Sequence, residues 1–200
     1  GDKSFPSRAI KKILSSNNLK IKDIEKVAFY ERPLSAFLHT VKQASLNMPR
    51  SLDFLAHQFR NFNNSSASCY LDFAKQFKGL EKKLIYSDHH LSHTLTALAY
   101  SKTKKDICSI VVDGFGDRST ASISQVVDLN EINELWECPY PVSLGLFYST
   151  ITDFLGFTVN EGEYKVMGLS AYGNNDLKTK LKEIITLKND GSFILNLKYF

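Results

Sequence analysis

The chain has 200 residues, 25 Lys and Arg against 21 Asp and Glu, a net charge of +4 and 43% apolar residues. This composition is typical of a globular protein, and the length suits one domain or a large part of one. No apolar run approaches a membrane span and no signal peptide is present, so we expect no membrane association. Scattered lysines argue against a nucleic-acid surface, and three cysteines without metal or redox spacing favour the cytoplasm.

The first part of the chain predicts helices around one short strand. Residues 5–18 predict a helix with Pro in its first turn that ends at Asn17-Asn18. Val27 to Tyr30 predict a strand, and residues 34–80 predict a helical insertion. His39 and His57 lie in this insertion without partners at ligand spacing, so we interpret them as ordinary polar residues.

The segment L-I-Y-S-D-H-H-L-S-H-T-L-T-A-L predicts the strand Leu84 to Tyr86 and then a helix that opens at Ser87 or Asp88. At about 100° per residue, four apolar side chains share one face of that helix, and His89 and His93 lie opposite. The four apolar residues are Leu91, Leu95, Leu98 and Ala99. Two imidazoles one turn apart can bind one metal ion, although such a pair also occurs on ordinary solvated faces.

A buried strand from Ile107 to Val112 follows, in which Cys108 is interpreted as a small hydrophobic residue. The strand continues into the turn D-G-F-G-D. Asp113 ends the strand and is a natural third metal ligand, because a mixed nitrogen and oxygen set suits iron, zinc or manganese. Glycines in the turn allow backbone N–H groups to approach a phosphate, or they serve only a tight hairpin.

The remaining elements follow in sequence. Arg118 to Val127 predict a strand that pairs with the preceding one, before a break at Pro139 and Pro141. Ser143 predicts the cap of a helix that ends at Gly156. Residues 157–173 are too rich in glycine and charge for a simple surface loop. Lys178 to Leu187 predict an amphipathic helix, and residues 189–191 turn into a final strand.

Four motifs carry a resemblance to a known family over residues 4–173. In chain order they are H-H-L-S-H-T-L-T-A-L, V-D-G-F-G-D, S-L-G-L-F-Y-S-T-I-T-D-F-L-G-F and N-E-G-E-Y-K-V-M-G-L-S-A-Y-G. They resemble the amino-terminal domain of the NodU/CmcH-type O-carbamoyltransferases. The resemblance implies an α/β actin-like (ribonuclease-H-like) fold, of which residues 1–200 form a part. The initial strands and a C-terminal YrdC-like domain would lie outside the chain.

The resemblance also implies a reaction. The YrdC-like part of such enzymes makes carbamoyl-adenylate from carbamoyl phosphate and ATP. The actin-like part then moves the carbamoyl group to a hydroxyl of a sugar or natural-product acceptor with the help of bound iron. We therefore expect Fe²⁺ or another divalent metal and a bound nucleotide, and we expect the fragment alone to be inactive. A homodimer is left open.

Site residues follow from the same resemblance. His89, His93 and Asp113 would be metal ligands. His90 would be either a general base for the acceptor hydroxyl or a residue that holds the metal ligands in position without binding the metal. We favour the second role. The turn beneath the adenylate phosphate would also include a catalytic Asp117. The residues expected at the nucleotide are Asp113, Gly114, Phe115, Gly116, Asp117, Ser143, Gly145, Glu163, Lys165 and Gly168, with Ser143 equally explained as a helix cap.

Two rival interpretations remain open at the level of sequence. One is a protein like the tRNA threonylcarbamoyl-transferring enzymes, against which the absence of a concentrated basic face argues. The other is an actin-like nucleotide-binding protein that transfers no group. It predicts no tightly bound transition metal.

Overall fold

The computed structural model describes residues 5–60, 62 and 65–199 and shows a mixed α/β protein. The chain divides into two compact units. The N-terminal unit contains residues 1–100 together with 116–118, and the C-terminal unit contains 101–115 and 119–200. Among the described residues, no helix is both long and apolar enough to cross a membrane.

The N-terminal unit places helices around two parallel strands. Its helices and strands are α1 (Ser7–Ser16), β1 (Val27–Phe29), α2 (Pro33–Leu46), α3 (Leu52–Arg60), α4 (Ser66–Gln76), β2 (Leu84–Tyr86) and α5 (His89–Tyr100). The predicted first helix and both predicted strands are confirmed, and the region 34–80 is largely helical. Strand β1 pairs with β2 in parallel register, from Val27 opposite Leu84 to Phe29 opposite Tyr86. A core of Phe73, Phe77 and Leu80 packs beneath them.

The C-terminal unit is built on a three-stranded sheet of order β3-β4-β5 and a separate antiparallel pair. Its elements are β3 (Ile107–Gly116, whose last residue belongs to the N-terminal unit), β4 (Ser119–Val126), β5 (Ile132–Pro139), α6 (Leu144–Phe154), α7 (Glu163–Leu169), α8 (Lys178–Ile184), β6 (Ile185–Leu187) and β7 (Phe193–Leu195). The capped helix after Ser143 and the final strand are confirmed. Gly156 and Gly191 have positive φ angles of 80° and 84° and end α6 and the β6–β7 turn.

Three elements differ from the sequence prediction. Strand β3 was predicted to end at Val112, but it continues through residues 113–116, so the turn before β4 consists of Asp117 and Arg118 rather than all of D-G-F-G-D. Strand β5 was not predicted, and its segment I-N-E-L-W-E-C does not alternate strictly between apolar and polar residues. Its pairing with β4 shifts register between Ile123 and Ser124, as at a β-bulge. The amphipathic helix expected to continue to Leu187 ends at Ile184, because Ile185 pairs with Leu195 in the β6–β7 ladder. β-branched residues at 185 and 186 favour that strand over another helical turn.

Two predicted burial patterns were also wrong. Cys108 is exposed rather than buried, and Ile110 and Val112 on the same strand are 69% and 59% exposed. Strand β3 therefore buries one face only, which a nearly continuous apolar run does not reveal. On α5 the buried residues are His90, Thr94 and Leu98, whereas Leu95 is 40% exposed and Ala99 is exposed. The buried stripe is rotated by about a quarter turn from the predicted leucine face.

Candidate metal and nucleotide site

A side-chain cap fixes the start of α5. One carboxylate oxygen of Asp88 accepts hydrogen bonds from the backbone N–H groups of His90 (3.1 Å) and Leu91 (3.2 Å). Such a cap satisfies donors that the first helical turn would otherwise leave without partners. Of the two predicted openings, Ser87 and Asp88, the structure has Asp88 as the cap, so His89 is the first helical residue.

His89 and His93 bring two ring nitrogens together. Their Nε2 atoms lie 3.1 Å apart, and the ring planes are inclined at 75°. Two nitrogens bound to one metal ion at about 2.1 Å would be separated by about 3.0 Å at right angles and about 3.4 Å in a tetrahedral site. The pair therefore fits a shared metal ion, and it equally fits a hydrogen bond from one neutral imidazole to the other. His93 is exposed, which leaves an open approach to this pair.

The segment after β1 forms a wall beside His89. A carboxylate oxygen of Glu31 lies 3.7 Å from Nδ1 of His89, and the Tyr30 ring packs edge-on against the imidazole at 5.6 Å. Ser92 donates a hydrogen bond of 3.0 Å to the Tyr30 carbonyl. Burial, and then the charge of Glu31, raises the pKa of the Tyr30 hydroxyl. Nε2 of His89 thus faces His93, while Nδ1 faces a carboxylate.

Glu31 and Tyr30 were not predicted from the sequence as neighbours of His89. They lie almost 60 residues before His89 and belong to no motif. A usable signal was the predicted pair of short strands, because the carboxyl ends of neighbouring parallel strands meet at one edge of a sheet. Strands β1 and β2 are parallel, and Tyr30 and Glu31 follow one of them as His89 follows the other.

Asp117 connects two distant backbone segments. Its side chain accepts hydrogen bonds from the backbone N–H of Arg32 (2.8 Å) and of His89 (3.0 Å), one on each carboxylate oxygen. The residue is only 3% exposed and has a left-handed φ of 50°. Asp117 therefore fixes the position of His89 relative to the segment after β1. Its catalytic and nucleotide-binding roles stay predictions.

Gly116 allows the turn to approach the histidines. A Cβ atom at this position would lie 2.5 Å from Cδ2 of His89 and 2.9 Å from Cδ2 of His90. The positive φ of the turn falls on Asp117, so Gly116 is required here for close contact rather than for left-handed backbone. His90 is 4% exposed, which places its ring behind the turn. That position favours support of its neighbours over contact with an acceptor.

In the C-terminal unit, the start of α6 holds the backbone at Asp113 and Gly114. The Ser143 hydroxyl donates to the Gly114 carbonyl (2.7 Å) and accepts from the backbone N–H of Leu146 (3.0 Å). A Cβ atom on Gly145 would lie 2.6 Å from the Asp113 carbonyl oxygen. Ser143 is thus a helix cap that also ties α6 to the end of β3.

The side chains of Asp113 and Phe115, near the end of β3, have partners close by. An Asp113 carboxylate oxygen accepts from the N–H of Gly114 at 2.6 Å. The Phe115 ring packs edge-on against Tyr140 with centroids 4.9 Å apart, and burial raises the pKa of Tyr140. Asp113 and the histidines belong to different units, and its role as a metal ligand stays a prediction.

Glu163 begins α7 and fastens it to α6. Its carboxylate accepts from the backbone N–H of Asn160 (2.9 Å) and from the Ser149 hydroxyl (3.2 Å). These bonds, that of Asn160 foremost, lower the pKa of Glu163. Lys165 is exposed, with its ammonium 5.9 Å from the ring of Tyr164, and a Cβ on Gly168 would meet open space. Their contact with a nucleotide stays a prediction.

Known proteins match this chain along its whole length. The family model described as "Carbamoyltransferase N-terminus" matches residues 1–200. An uncharacterized protein of Synechocystis is 32% identical over 216 residues, which cover 100% of this chain and 33% of that protein. The nodulation protein NolNO of Sinorhizobium fredii is 28% identical over 85% of this chain and 24% of its own length. For NolO of Bradyrhizobium diazoefficiens the identity is 32%, over 55% of this chain and 20% of that protein.

The chain thus spans about a third or less of the length of these curated relatives. The motifs that carry the sequence resemblance all lie within the matched residues, and so do the histidine pair and the turn beside it. The chain belongs to the carbamoyltransferase N-terminus family.

Proposed function

We propose that the enzyme containing this chain transfers a carbamoyl group from carbamoyl-adenylate to a hydroxyl of a sugar or natural-product acceptor. The observation that carries the proposal is the pair of Nε2 atoms of His89 and His93, 3.1 Å apart beside the glycine turn. Family membership supports the reaction class. We extend the proposal to an actin-like fold, which the mixed α/β architecture accommodates.

His89 and His93 would hold a divalent metal, Fe²⁺ in the first instance, through Nε2. The sequence resemblance implies Asp113 as the third ligand, and we include it in the proposal on that ground. Two imidazoles and a carboxylate suit iron, zinc or manganese. A bound metal supplies Lewis-acid polarisation of a carbonyl and a lowered pKa for a coordinated hydroxyl.

The chain's own residues would orient the metal ligands and the nucleotide. Asp117 fixes the start of α5, and Glu31 faces the nitrogen of His89 that points away from His93. A carboxylate in that position orients a ligating imidazole. Gly114, which is half-buried, would lie beneath the adenylate phosphate as the resemblance implies, whereas Gly116 is buried against His89 and His90. His90, behind the turn, would support these neighbours.

The transfer balances without a further reactant. The acceptor oxygen forms a bond to the carbamoyl carbon, the bond from that carbon to the adenylate phosphate oxygen breaks, and AMP leaves. The acceptor proton passes to a base. Backbone N–H groups of the turn would stabilise the charge that develops on the departing phosphate.

The test is an assay of the full-length enzyme with ATP, carbamoyl phosphate, Fe²⁺ and a panel of acceptors, with products identified by mass spectrometry. Carbamoylated sugar or glycoside is the expected product. Modification of tRNA alone would favour the tRNA-modifying alternative. Stoichiometric nucleotide binding without bound metal or transfer would favour an actin-like nucleotide-binding protein.

A further inference from the structure

An open cavity of about 620 Å³ lies in the N-terminal unit, between the start of α2, strand β2 and helix α4, and most of its lining residues are exposed. Its size falls within the range of about 300–1,000 Å³ that small-molecule sites occupy. The lining residues are Arg32, Pro33, Leu34, Ser35, Tyr70, Leu84, Ile85 and Tyr86. All of them belong to one unit, so the cavity is a property of that unit alone.

The lining combines an apolar surface with few polar groups. Tyr70 and Tyr86 lie with ring centroids 6.3 Å apart and planes inclined at 58°. Burial, and then the neighbouring Tyr70, raises the pKa of the Tyr86 hydroxyl, and each tyrosine hydroxyl can donate and accept hydrogen bonds. Arg32 alone is charged among the lining residues that the structure describes. Such a wall suits a ligand with an apolar ring or chain and hydroxyl groups.

The same arginine places the cavity beside the histidine pair. The backbone N–H of Arg32 donates to one oxygen of Asp117, and the other oxygen accepts from the backbone N–H of His89. A single carboxyl group therefore separates a cavity-lining residue from a proposed metal ligand. The cavity and the histidine pair are therefore connected through one buried carboxylate.

We propose that this cavity is the acceptor subsite and that it selects a neutral or anionic hydroxyl acceptor with an apolar ring or chain. The inference rests on the proposed function, because it assigns the acceptor of that reaction. A polycationic amino sugar would be disfavoured, since its ammonium groups would lose water against an apolar wall and face the guanidinium of Arg32. An anionic substituent would instead gain a charge-assisted hydrogen bond from Arg32.

The test uses the full-length enzyme and three probes: 4-nitrophenyl β-D-glucoside, 4-nitrophenyl β-D-glucuronide and kanamycin. Binding is measured by saturation-transfer NMR without ATP, and carbamoylation is measured separately. Ser35→Trp places an indole at the cavity, and Ser45→Trp is its matched control on an exposed position of the same helix. We expect Ser35→Trp to weaken glycoside binding and raise its KM by about tenfold or more, and Ser45→Trp to change neither.

Arg32→Gln is the second variant. It keeps the backbone N–H that Asp117 holds, so the fold of the site is retained. We expect it to weaken the glucuronide about tenfold more than the glucoside, because only the glucuronide carries a carboxylate for the guanidinium. Arg8→Gln, on exposed helix α1, is the control and should affect neither glycoside.

The outcomes separate this inference from the proposed function. If Ser35→Trp abolishes glycoside binding but the enzyme carbamoylates no acceptor, the binding site is supported and the transfer reaction is rejected. If the enzyme carbamoylates glycosides and neither Ser35→Trp nor Arg32→Gln changes the KM, the reaction is supported and the assignment of the cavity as the acceptor subsite is overturned. Tighter binding of kanamycin than of either glycoside would also overturn it.

Discussion

The two ends of the motif V-D-G-F-G-D are held in different ways. Gly116 and Asp117 belong to the N-terminal unit, where the buried Asp117 carboxylate binds backbone N–H groups of Arg32 and His89. Asp113 and Gly114 belong to the C-terminal unit, where the first turn of α6 binds their carbonyl groups through Ser143. One end is fixed by a side chain of the motif itself, and the other is fixed by a helix that follows it.

This difference predicts separate effects for substitutions at the two ends of the motif. Substitutions at 116 and 117 should act on the histidines, because those residues touch His89 directly. Substitutions at 143 and 145 should act on Asp113 and Gly114 and leave the histidine pair in place. Variants at the two ends can therefore test which part of the motif serves the metal and which serves the nucleotide.

The largest effect is expected from the proposed ligands themselves. In the full-length enzyme, His89→Ala or His93→Ala should remove most bound metal and lower carbamoyl transfer on the order of 100-fold or more, because each removes one of few ligands. Adenylate formation, which the YrdC-like part would perform, should survive. Metal content by elemental analysis and both partial reactions are the measurements. Thr96→Ala, at an exposed position of the same helix, is the control. Stoichiometric metal in both histidine variants would refute the assignment.

A pair of glycine variants tests the close contact at the turn. Gly116→Ala would drive a methyl group into the His89 and His90 rings, at a cost of about 1–3 kcal/mol, and should weaken metal binding. Gly114→Ala would meet only a Leu146 methyl at 3.7 Å, which is an ordinary contact. Thermal unfolding and metal titration of both variants distinguish the two positions. Equal loss of metal in Gly116→Ala and Gly114→Ala would show that the close contact at Gly116 is not what controls metal binding.

The two aspartates should separate in the same experiment. Asp113→Asn should weaken the metal, because an amide oxygen is a poorer ligand than a carboxylate. Asp117→Asn would point an amide N–H at one of two backbone N–H groups, so we expect a loss of stability of about 1–3 kcal/mol. Because Asp117 holds the backbone N–H of His89, this variant should also weaken metal binding, but less than Asp113→Asn does. Loss of metal in Asp117→Asn with retention in Asp113→Asn would reverse the assignment.

A smaller effect is expected from the carboxylate behind His89. Glu31→Gln removes the charge that lies 3.7 Å from Nδ1 and should lower metal affinity by about 10–100-fold. Its helical and strand content should stay that of the parent enzyme. Glu25→Gln, at an exposed position of the same unit, is the control. Unchanged metal affinity in Glu31→Gln would show that this carboxylate does not orient the imidazole.

Much of this arrangement could be predicted from sequence where the signal was local. His89 and His93 lie one helical turn apart, and Ser143 precedes an apolar helix, so both features follow from spacing and capping rules. Glu31 and the two bonds of Asp117 could not be found that way, because they depend on parallel strand pairing between residues far apart in the chain. Exposure was hardest to predict: a nearly continuous apolar run in β3 conceals that Cys108 and Ile110 are solvent-facing.

The smallest predicted effect is a pH dependence of stability that arises from Glu163 in the C-terminal unit. The histidine pair of the N-terminal unit does not contribute to it. Hydrogen bonds, above all from Asn160 N–H, lower the folded-state pKa of Glu163. A lowered pKa means that the ionised form is favoured by folding, so this contribution is complete above the ordinary pKa of about 4.3 and is lost as pH falls through the lower folded-state value. Unfolding temperatures of the full-length enzyme measured between pH 6 and pH 3 should therefore decline less in Glu163→Gln than in the parent. Asp176→Asn, an exposed acidic residue of the same unit, serves as the control. Parallel pH profiles for the parent and Glu163→Gln would show that these bonds stabilise α7 equally whether or not the carboxyl group is ionised.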